Sequence, residues 1–218
     1  MRSRLAGIVQ ITVIEGSKSQ VFHIARNLLD SKAPTFMSAI DPTEHAKRTA
    51  VQLTDVRIEV FDHFVDWIEG RFYGYNWLLL SRIYVFGDNY GIHTLRDFVL
   101  DKIEADTTSF KKLCKSSPLD WIDSEMAIYV YGNTSDKSPL RNILVDFFCM
   151  FTSPLSPNTA PILNLSAGLN QYPKDFLVDV MIQRLSAATF EQYCKRVAGA
   201  NEDYQQDEYV PNKKRKGM

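Results

Sequence analysis

The sequence has few of the features that mark an enzyme site, and it carries almost no net charge. It contains no Gly-rich phosphate loop, no G-x-S-x-G nucleophile motif and no H-E-x-x-H metal motif. The formal net charge of its 218 residues is −1, so no overall field draws the chain to nucleic acid or to an anionic membrane. We therefore expect a non-catalytic protein without a small-molecule substrate, a direct nucleic-acid partner or a membrane partner.

Cysteine and histidine are also scarce and scattered. The three cysteines, Cys114, Cys149 and Cys194, lie far apart and form no C-x-x-C pair, which is typical of reduced thiols in the cytosol or nucleus. The four histidines, His23, His45, His63 and His93, occur singly, with no Cys or carboxylate at the spacing of a zinc ligand set. We expect no metal and no cofactor.

Long apolar runs are missing as well. None reaches the roughly 20 residues that a membrane span needs. The start "MRSRLAGIVQITVI" has the basic and apolar parts of a signal peptide, but Gln10 and Thr12 interrupt its apolar part. The alternation of Val9, Ile11 and Val13 with their neighbours predicts a strand instead. We expect a soluble, intracellular protein.

The first half of the chain changes from a strand period to a helical period. Strands are predicted at 8–14, 20–24 and 50–53, with Gly16 in the turn of a hairpin. Short helices are predicted at 26–30 and 33–40, the second with Pro34 in its first turn. Asp55 is predicted to cap a helix that ends at Gly70. Two further helices, over 76–90 and 92–106, meet at Gly91 and should pack as a hairpin.

The second half is predicted to be helical. Helices are indicated at 121–132, at 138–151 with Ser138 as N-cap and Pro139 as first residue, at 172–185 and at 189–199. The proline-containing segment 154–172 predicts an extended surface loop. The polar residues 200–218 predict a disordered tail.

Three segments together resemble a BTB/POZ domain over residues 7–104. They are "FHIARNLLDSKAPTF", "VQLTDVRIEVFDHFVDWIEG" and "YVFGDNYGIHTLRDFVLDKI". The segments "YVYGNTSDKSPLRNILVDFF" and "YPKDFLVDVM" resemble the helical extension of fungal BTB proteins. The resemblance implies an α+β fold, a small β-sheet capped by a helical cluster and followed by an all-helical extension. The implied domains are 1–110 for BTB/POZ, 111–199 for the extension and 200–218 for the tail.

The resemblance also explains why a strand runs into a helix at Ala25 and Arg26 without a linker. In this family that junction is a structural corner with no ligand, and its basic residue faces an acid from the first strand in the dimer. Here Arg26 keeps the base, whereas Gly7 stands where the acid is expected. Homodimerisation through the usual face should therefore be weak or absent, and Asp30 at i+4 is the predicted partner of Arg26.

An aromatic group lies between two predicted helices, and it has two interpretations. The group comprises Trp67, Phe72, Tyr73, Tyr75 and Trp77. It is either a partner-binding patch or a satellite core at the helix junction. Trp67 and Trp77 fall partly outside the apolar stripes, so they are candidate interaction residues together with Arg26.

The tail ends in "PNKKRK", and the four basic residues Lys213, Lys214, Arg215 and Lys216 resemble a nuclear-import signal. A plain solubilising tail is the alternative, so the expected location is nuclear, cytoplasmic or both. Neighbouring acids leave the tail without net charge, which argues against strong DNA binding.

The leading functional hypothesis is a protein–protein interaction module, a BTB/POZ scaffold that binds itself or another protein. The alternative is a nuclear, transcription- or chromatin-linked regulator that its basic tail directs to the nucleus. A substrate adaptor of a cullin-type ubiquitin ligase is a weaker alternative, because Ile40 and Glu44 do not have the spacing that this subtype shows.

Overall fold

A computed structural model describes residues 7–40, 50–113, 123–151 and 169–186 of the chain. Within these ranges it contains three strands, eight α-helices and a 3-10 turn, which makes the fold α+β. The strands are β1 (Ile8–Glu15), β2 (Lys18–Ala25) and β3 (Ala50–Leu53). The helices are α1 (Arg26–Lys32), α2 (Pro34–Ile40), α3 (Ile58–Glu69), α4 (Trp77–Asn89), α5 (His93–Leu113), α6 (Ser124–Asn133), α7 (Pro139–Phe151) and α8 (174–186).

The three predicted strands form one small sheet, which the structure shows to be mixed and in the order β2-β1-β3. Gly16 adopts a positive φ of 61° in the tight turn between β1 and β2, so these two strands are antiparallel. The connection from β2 to β3 passes through α1 and α2 and returns β3 parallel to β1. Ile8 pairs with Ala25, which fixes the register of the hairpin.

One face of the sheet lies on a core of apolar side chains. Val9, Ile11 and Val13 alternate along β1 and have no solvent exposure. Across from them α3 contributes Phe61 and Phe64, which are also fully buried. The period of two in β1 and the helical period in α3 thus meet in one core, which confirms the strand predicted for β1 and the helix predicted to end at Gly70.

Glycines determine where α3 ends and how α4 turns into α5. Gly70 ends α3 in the left-handed conformation with φ 77°, a position that favours glycine. Gly91 has a φ of 65° in the turn between α4 and α5, and the two helices pack as the predicted hairpin. The close approach of α4 to α5 depends on Gly87, because a Cβ there would lie 3.1 Å from the Arg96 Cγ and 3.3 Å from the Ile92 carbonyl oxygen.

The predicted capping of α3 by Asp55 is wrong. The residue before α3 is Arg57, whose side chain accepts no bond from the helix. The carboxylate of Glu15, at the end of β1, instead accepts a hydrogen bond from the Ile58 N–H at 3.0 Å. Asp55 accepts the hydroxyl hydrogen bond of Tyr90 at 3.1 Å. A residue distant in sequence therefore caps this helix.

The helices of the second half pack against the first half in a continuous cluster of buried side chains. The ring of Trp77 in α4 lies 4.6 Å from the ring of Phe147 in α7. Helix α5 is continuous to Leu113, so the predicted domain boundary at residue 110 lies inside it. No helix in the described ranges is both long and apolar enough to cross a membrane.

The predicted extended loop over 154–172 needs one correction. Leu169–Gln171 form a 3-10 turn, and the ring of Tyr172 stacks on that of Phe176 at 5.4 Å. This end of the segment is therefore tied to α8 by an aromatic contact. The rest of the predicted loop, the predicted helix over 189–199 and the tail lie outside the described residues.

Candidate interaction surface

The outer face of the β1–β2 hairpin is the first candidate surface. Its side chains alternate with the buried ones, and Gln10, Val21 and His23 are exposed. Val21 is 48% exposed, high for a β-branched apolar residue in the middle of a strand. Because β2 is an edge strand, its outer edge also offers backbone N–H and C=O groups for pairing with another chain. Face and edge together form a surface that suits protein contacts.

Arg26 lies at one end of this surface. Strand β2 ends at Ala25 and α1 begins at Arg26 with no residue between them, as predicted, and Arg26 is half-buried. Ile8 and Ala25 form the last pair of the hairpin, and Gly7 and Arg26 are the residues that adjoin this pair in the two segments. A Cβ at Gly7 would meet no atom within 4 Å, so the chain has room for a side chain at this position. The pairing of Arg26 with Asp30 stays a prediction.

Glu15 fixes the opposite end of the hairpin to α3. Its carboxylate accepts from the Ile58 N–H and from the Arg57 Nε at 3.1 Å. The hydrogen bond from the Ile58 backbone, followed by that from Arg57, lowers the pKa of Glu15 below its ordinary value of 4.5. The ionised form is thus preferred in the folded chain. The sequence gives no local signal for this contact, because the two elements are separated by α1, α2 and β3.

Trp67 and Trp77 are not surface contacts, and the structure corrects that expectation. Trp67 is 9% exposed and Trp77 is 3% exposed. The Lys32 ammonium lies 5.7 Å from the centre of the Trp67 ring and donates to its carbonyl oxygen. The alternative interpretation, a satellite core between helices, therefore holds for both tryptophans. Of the predicted aromatic group, Tyr73 is the exposed member, at 69%.

A polar cleft of about 380 Å³ lies beside Trp77. Asp106 from α5 accepts hydrogen bonds from the Trp77 Nε1 at 3.3 Å and from the Tyr75 hydroxyl at 3.5 Å. Burial raises the pKa of the Tyr75 hydroxyl, and the Asp106 charge adds to this shift. Asp106 was not predicted as a functional residue. Its hydrogen bonds hold the N-terminal end of α4 against α5, so its observed role is structural.

The basic residues Lys213 to Lys216 lie outside the described residues. Among the residues that the structure describes, no group of three or more His, Cys, Asp or Glu side chains is arranged to hold a metal ion. Comparison with protein-family models, with characterised proteins and with solved structures gives no significant match. Any functional assignment therefore depends on the residues and the fold themselves.

Proposed function

We propose that the chain is a non-catalytic protein–protein interaction module with a BTB/POZ fold, a scaffold that binds itself or another protein. The observation that carries the proposal is the exposed outer face of the β1–β2 hairpin, which ends at the half-buried Arg26. The order strand, strand, two short helices, strand and helices is the order that the resemblance implies. The direct passage from β2 into α1 also agrees with the structural corner of that family.

The hairpin face favours a protein partner of moderate polarity. Val21 supplies an apolar centre, while Gln10 and His23 supply hydrogen-bonding groups around it. Interfaces between proteins that also exist alone have this mixture of apolar centre and polar rim. The hydrogen bond from the Ile58 N–H to the Glu15 carboxylate anchors the hairpin to α3. Because the hairpin is anchored before a partner binds, less conformational entropy is lost on binding.

The homotypic form of this function depends on the pairing at Arg26. Without a carboxylate at Gly7, we expect wild-type protein at micromolar concentration to sediment as a monomer or a weak dimer. Gly7→Asp adds an acid where a side chain meets no atom, so it should strengthen the dimer, whereas Gly7→Asn should not. Arg26→Ala should remove the gain. A tight wild-type dimer that Arg26→Ala dissociates would mean that another acid completes the pocket.

The heterotypic form is tested with a variant of the hairpin face. Val21→Lys changes an exposed side chain, so it should leave the melting temperature unchanged while abolishing capture of partners from a cell extract. The matched control is Ile128→Lys on α6, which changes an apolar residue of similar exposure, 55%, on another surface. Proteins lost with Val21→Lys and retained with Ile128→Lys are ligands of the hairpin face. Identical sets of captured proteins would refute the assignment.

A further inference from the structure

Strand β2 is an edge strand without the usual protection against pairing. Natural edge strands are commonly short, bulged, interrupted by proline or covered by another element. β2 has eight residues and no proline, and each residue pairs in register with one of β1, so the strand has no bulge. Within the described ranges no strand pairs with its outer edge, and Lys18, Ser19, Gln20 and Val21 are exposed. This edge is therefore open to another extended segment.

The hairpin geometry determines which backbone groups face the outer edge. Glu15 and Lys18 flank the turn and pair with each other. In such a tight hairpin the flanking residues exchange hydrogen bonds, and bonded pairs then alternate with non-bonded pairs along the strands. The N–H and C=O groups of Ser19 and Val21 therefore point away from β1, toward the outer edge.

An open groove of about 650 Å³ lies beside this edge, between the first residues of β2 and α3. Gln20 pairs with the buried Val13, so its side chain is on the face of the sheet that packs on α3. It is nevertheless exposed and lines the groove. Glu59 and Asp62 line the α3 side of the groove, and both are exposed. An added strand would thus have the sheet edge on one side and two acidic side chains on the other.

The groove carries an excess of negative charge. Its lining includes the carboxylates of Glu15, Glu59 and Asp62 and the ammonium group of Lys18. Arg57 compensates Glu15 through an ion pair at 3.1 Å. Glu59 has only a distant contact with a guanidinium, at 3.9 Å, and within the described part of the chain Asp62 forms no ion pair. A positively charged partner therefore complements this groove.

We propose that the outer edge of β2 binds an extended basic segment of a partner protein, which adds a strand to the sheet. The proposal rests on the proposed interaction function and names the class of its partner. Successive side chains of the added strand point to opposite faces of the sheet. Lysine or arginine at every second position lies beside Glu59 and Asp62, and the apolar residues between them lie beside Val21. A second copy of β2 complements the acids less well, because its sequence KSQVFHIA contains one lysine and no arginine.

Fluorescence anisotropy with a labelled RVRVRV peptide tests the class of partner. The full-length protein should bind this peptide, and it should bind RRRVVV, which has the same composition without the alternation, more weakly. Asp62→Asn should lower the affinity for RVRVRV about two- to fivefold, as expected for one exposed charge pair. The matched control is Asp101→Asn, which removes an exposed aspartate from α5 and should leave the affinity unchanged. Equal binding of the two peptides, or equal effects of the two variants, would overturn the proposal.

A proline substitution tests the backbone pairing. Ser19→Pro removes an N–H group that points to the outer edge, where proline is tolerated, so the melting temperature should stay close to that of wild type and RVRVRV binding should be lost. Ser19→Ala keeps the N–H group and should bind like wild type. On the wild-type protein, an RVRVRV peptide with all its amide groups N-methylated should not bind, which tests the pairing without any change in the chain.

Binding of RVRVRV by folded Ser19→Pro, or binding of the methylated peptide, would overturn strand addition. The proposed interaction function would survive that result, because the capture experiment with Val21→Lys probes the outer face of the hairpin and not its edge. Loss of captured proteins with Val21→Lys but not with Ser19→Pro would place the partner on the face alone and refute this proposal.

Discussion

Replacing Phe64 by alanine tests the core on which the interaction surface is built. Phe64 has no solvent exposure, and its ring lies 4.9 Å from Phe86, 5.1 Å from Phe36 and 5.4 Å from Phe61. Truncating a fully buried phenylalanine removes its transfer free energy and leaves a cavity, at a cost of about 3–5 kcal/mol. The ring contacts place Phe64→Ala in the upper part of that range, because aromatic pairs add to the burial of area.

Urea denaturation followed by tryptophan fluorescence measures this loss. A change of about 3–5 kcal/mol with a slope of about 1–3 kcal/mol per molar should lower the midpoint by at least about 1 M. Tyr73→Ala is the matched control, because Tyr73 is an aromatic residue that is 69% exposed and should lose within about 0.5 kcal/mol. If Phe64→Ala and Tyr73→Ala unfold at the same urea concentration, the assignment of this core is wrong.

Three further predictions, one of them with a matched control, concern residues outside that core. Because its folded pKa is depressed, Glu15 stabilises the fold above its ordinary pKa of 4.5, and this contribution disappears as the pH falls through the folded pKa. Urea titrations of wild type and Glu15→Gln should therefore differ at pH 7 and converge in acid; a constant difference would contradict this. Arg141→Ala should cost about 1–3 kcal/mol in the same assay, because it leaves the Tyr131 and Thr134 carbonyl groups without their donor. Asp136→Asn should cost under about 0.5 kcal/mol, since the Asp136 side chain is 98% exposed. Deletion of 213–216 should shift a fluorescent fusion out of the nucleus, and an unchanged distribution would favour the solubilising role.

Features with a local physical signal were predictable from the sequence. Gly16, Gly70 and Gly91 each occupy a position with positive φ, and each was predicted to end or connect elements for that reason. The three strands and the apolar stripes of α3, α4 and α5 follow from periods of 2 and 3.6 residues, which depend only on near neighbours. The strand-to-helix corner at Arg26 was also predicted, since the residue types change abruptly there.

Features that depend on distant residues were not predictable in this way. The capping of Ile58 by Glu15 joins residues 43 positions apart, and no periodicity encodes it. The nearer Asp55 has the chemistry of a cap but is used by Tyr90. For the same reason Trp67 and Trp77 were candidates for the surface, because their burial depends on neighbours from other helices. Residues that fall outside a helical stripe can still be covered by another element.

Arg141 is buried in α7, and its position in the sequence indicates that burial. Its guanidinium donates to the Thr134 hydroxyl at 3.1 Å and lies 4.3 Å from the centre of the Tyr131 ring. In α7 it shares a side with Val145 and Phe148, at i+4 and i+7, and both are buried. An arginine at that spacing must be buried with its donors satisfied, or it breaks the pattern. Its hydrogen bonds to Tyr131 and Thr134 stabilise the connection between α6 and α7.

Arg82 connects the helices of the first half of the chain to α6 of the second half. Arg82 in α4 forms an ion pair with Glu125 in α6 at 3.0 Å and approaches Glu59 in α3 at 3.9 Å. The Arg82 side chain is 14% exposed, whereas Glu125 is 67% and Glu59 is 57% exposed, so each pair is open to solvent on its acidic side and contributes little to stability. Helix α3 is in turn capped by Glu15 of the hairpin. Polar contacts therefore connect the hairpin to α3 through Glu15, and α3 and α6 to α4 through Arg82.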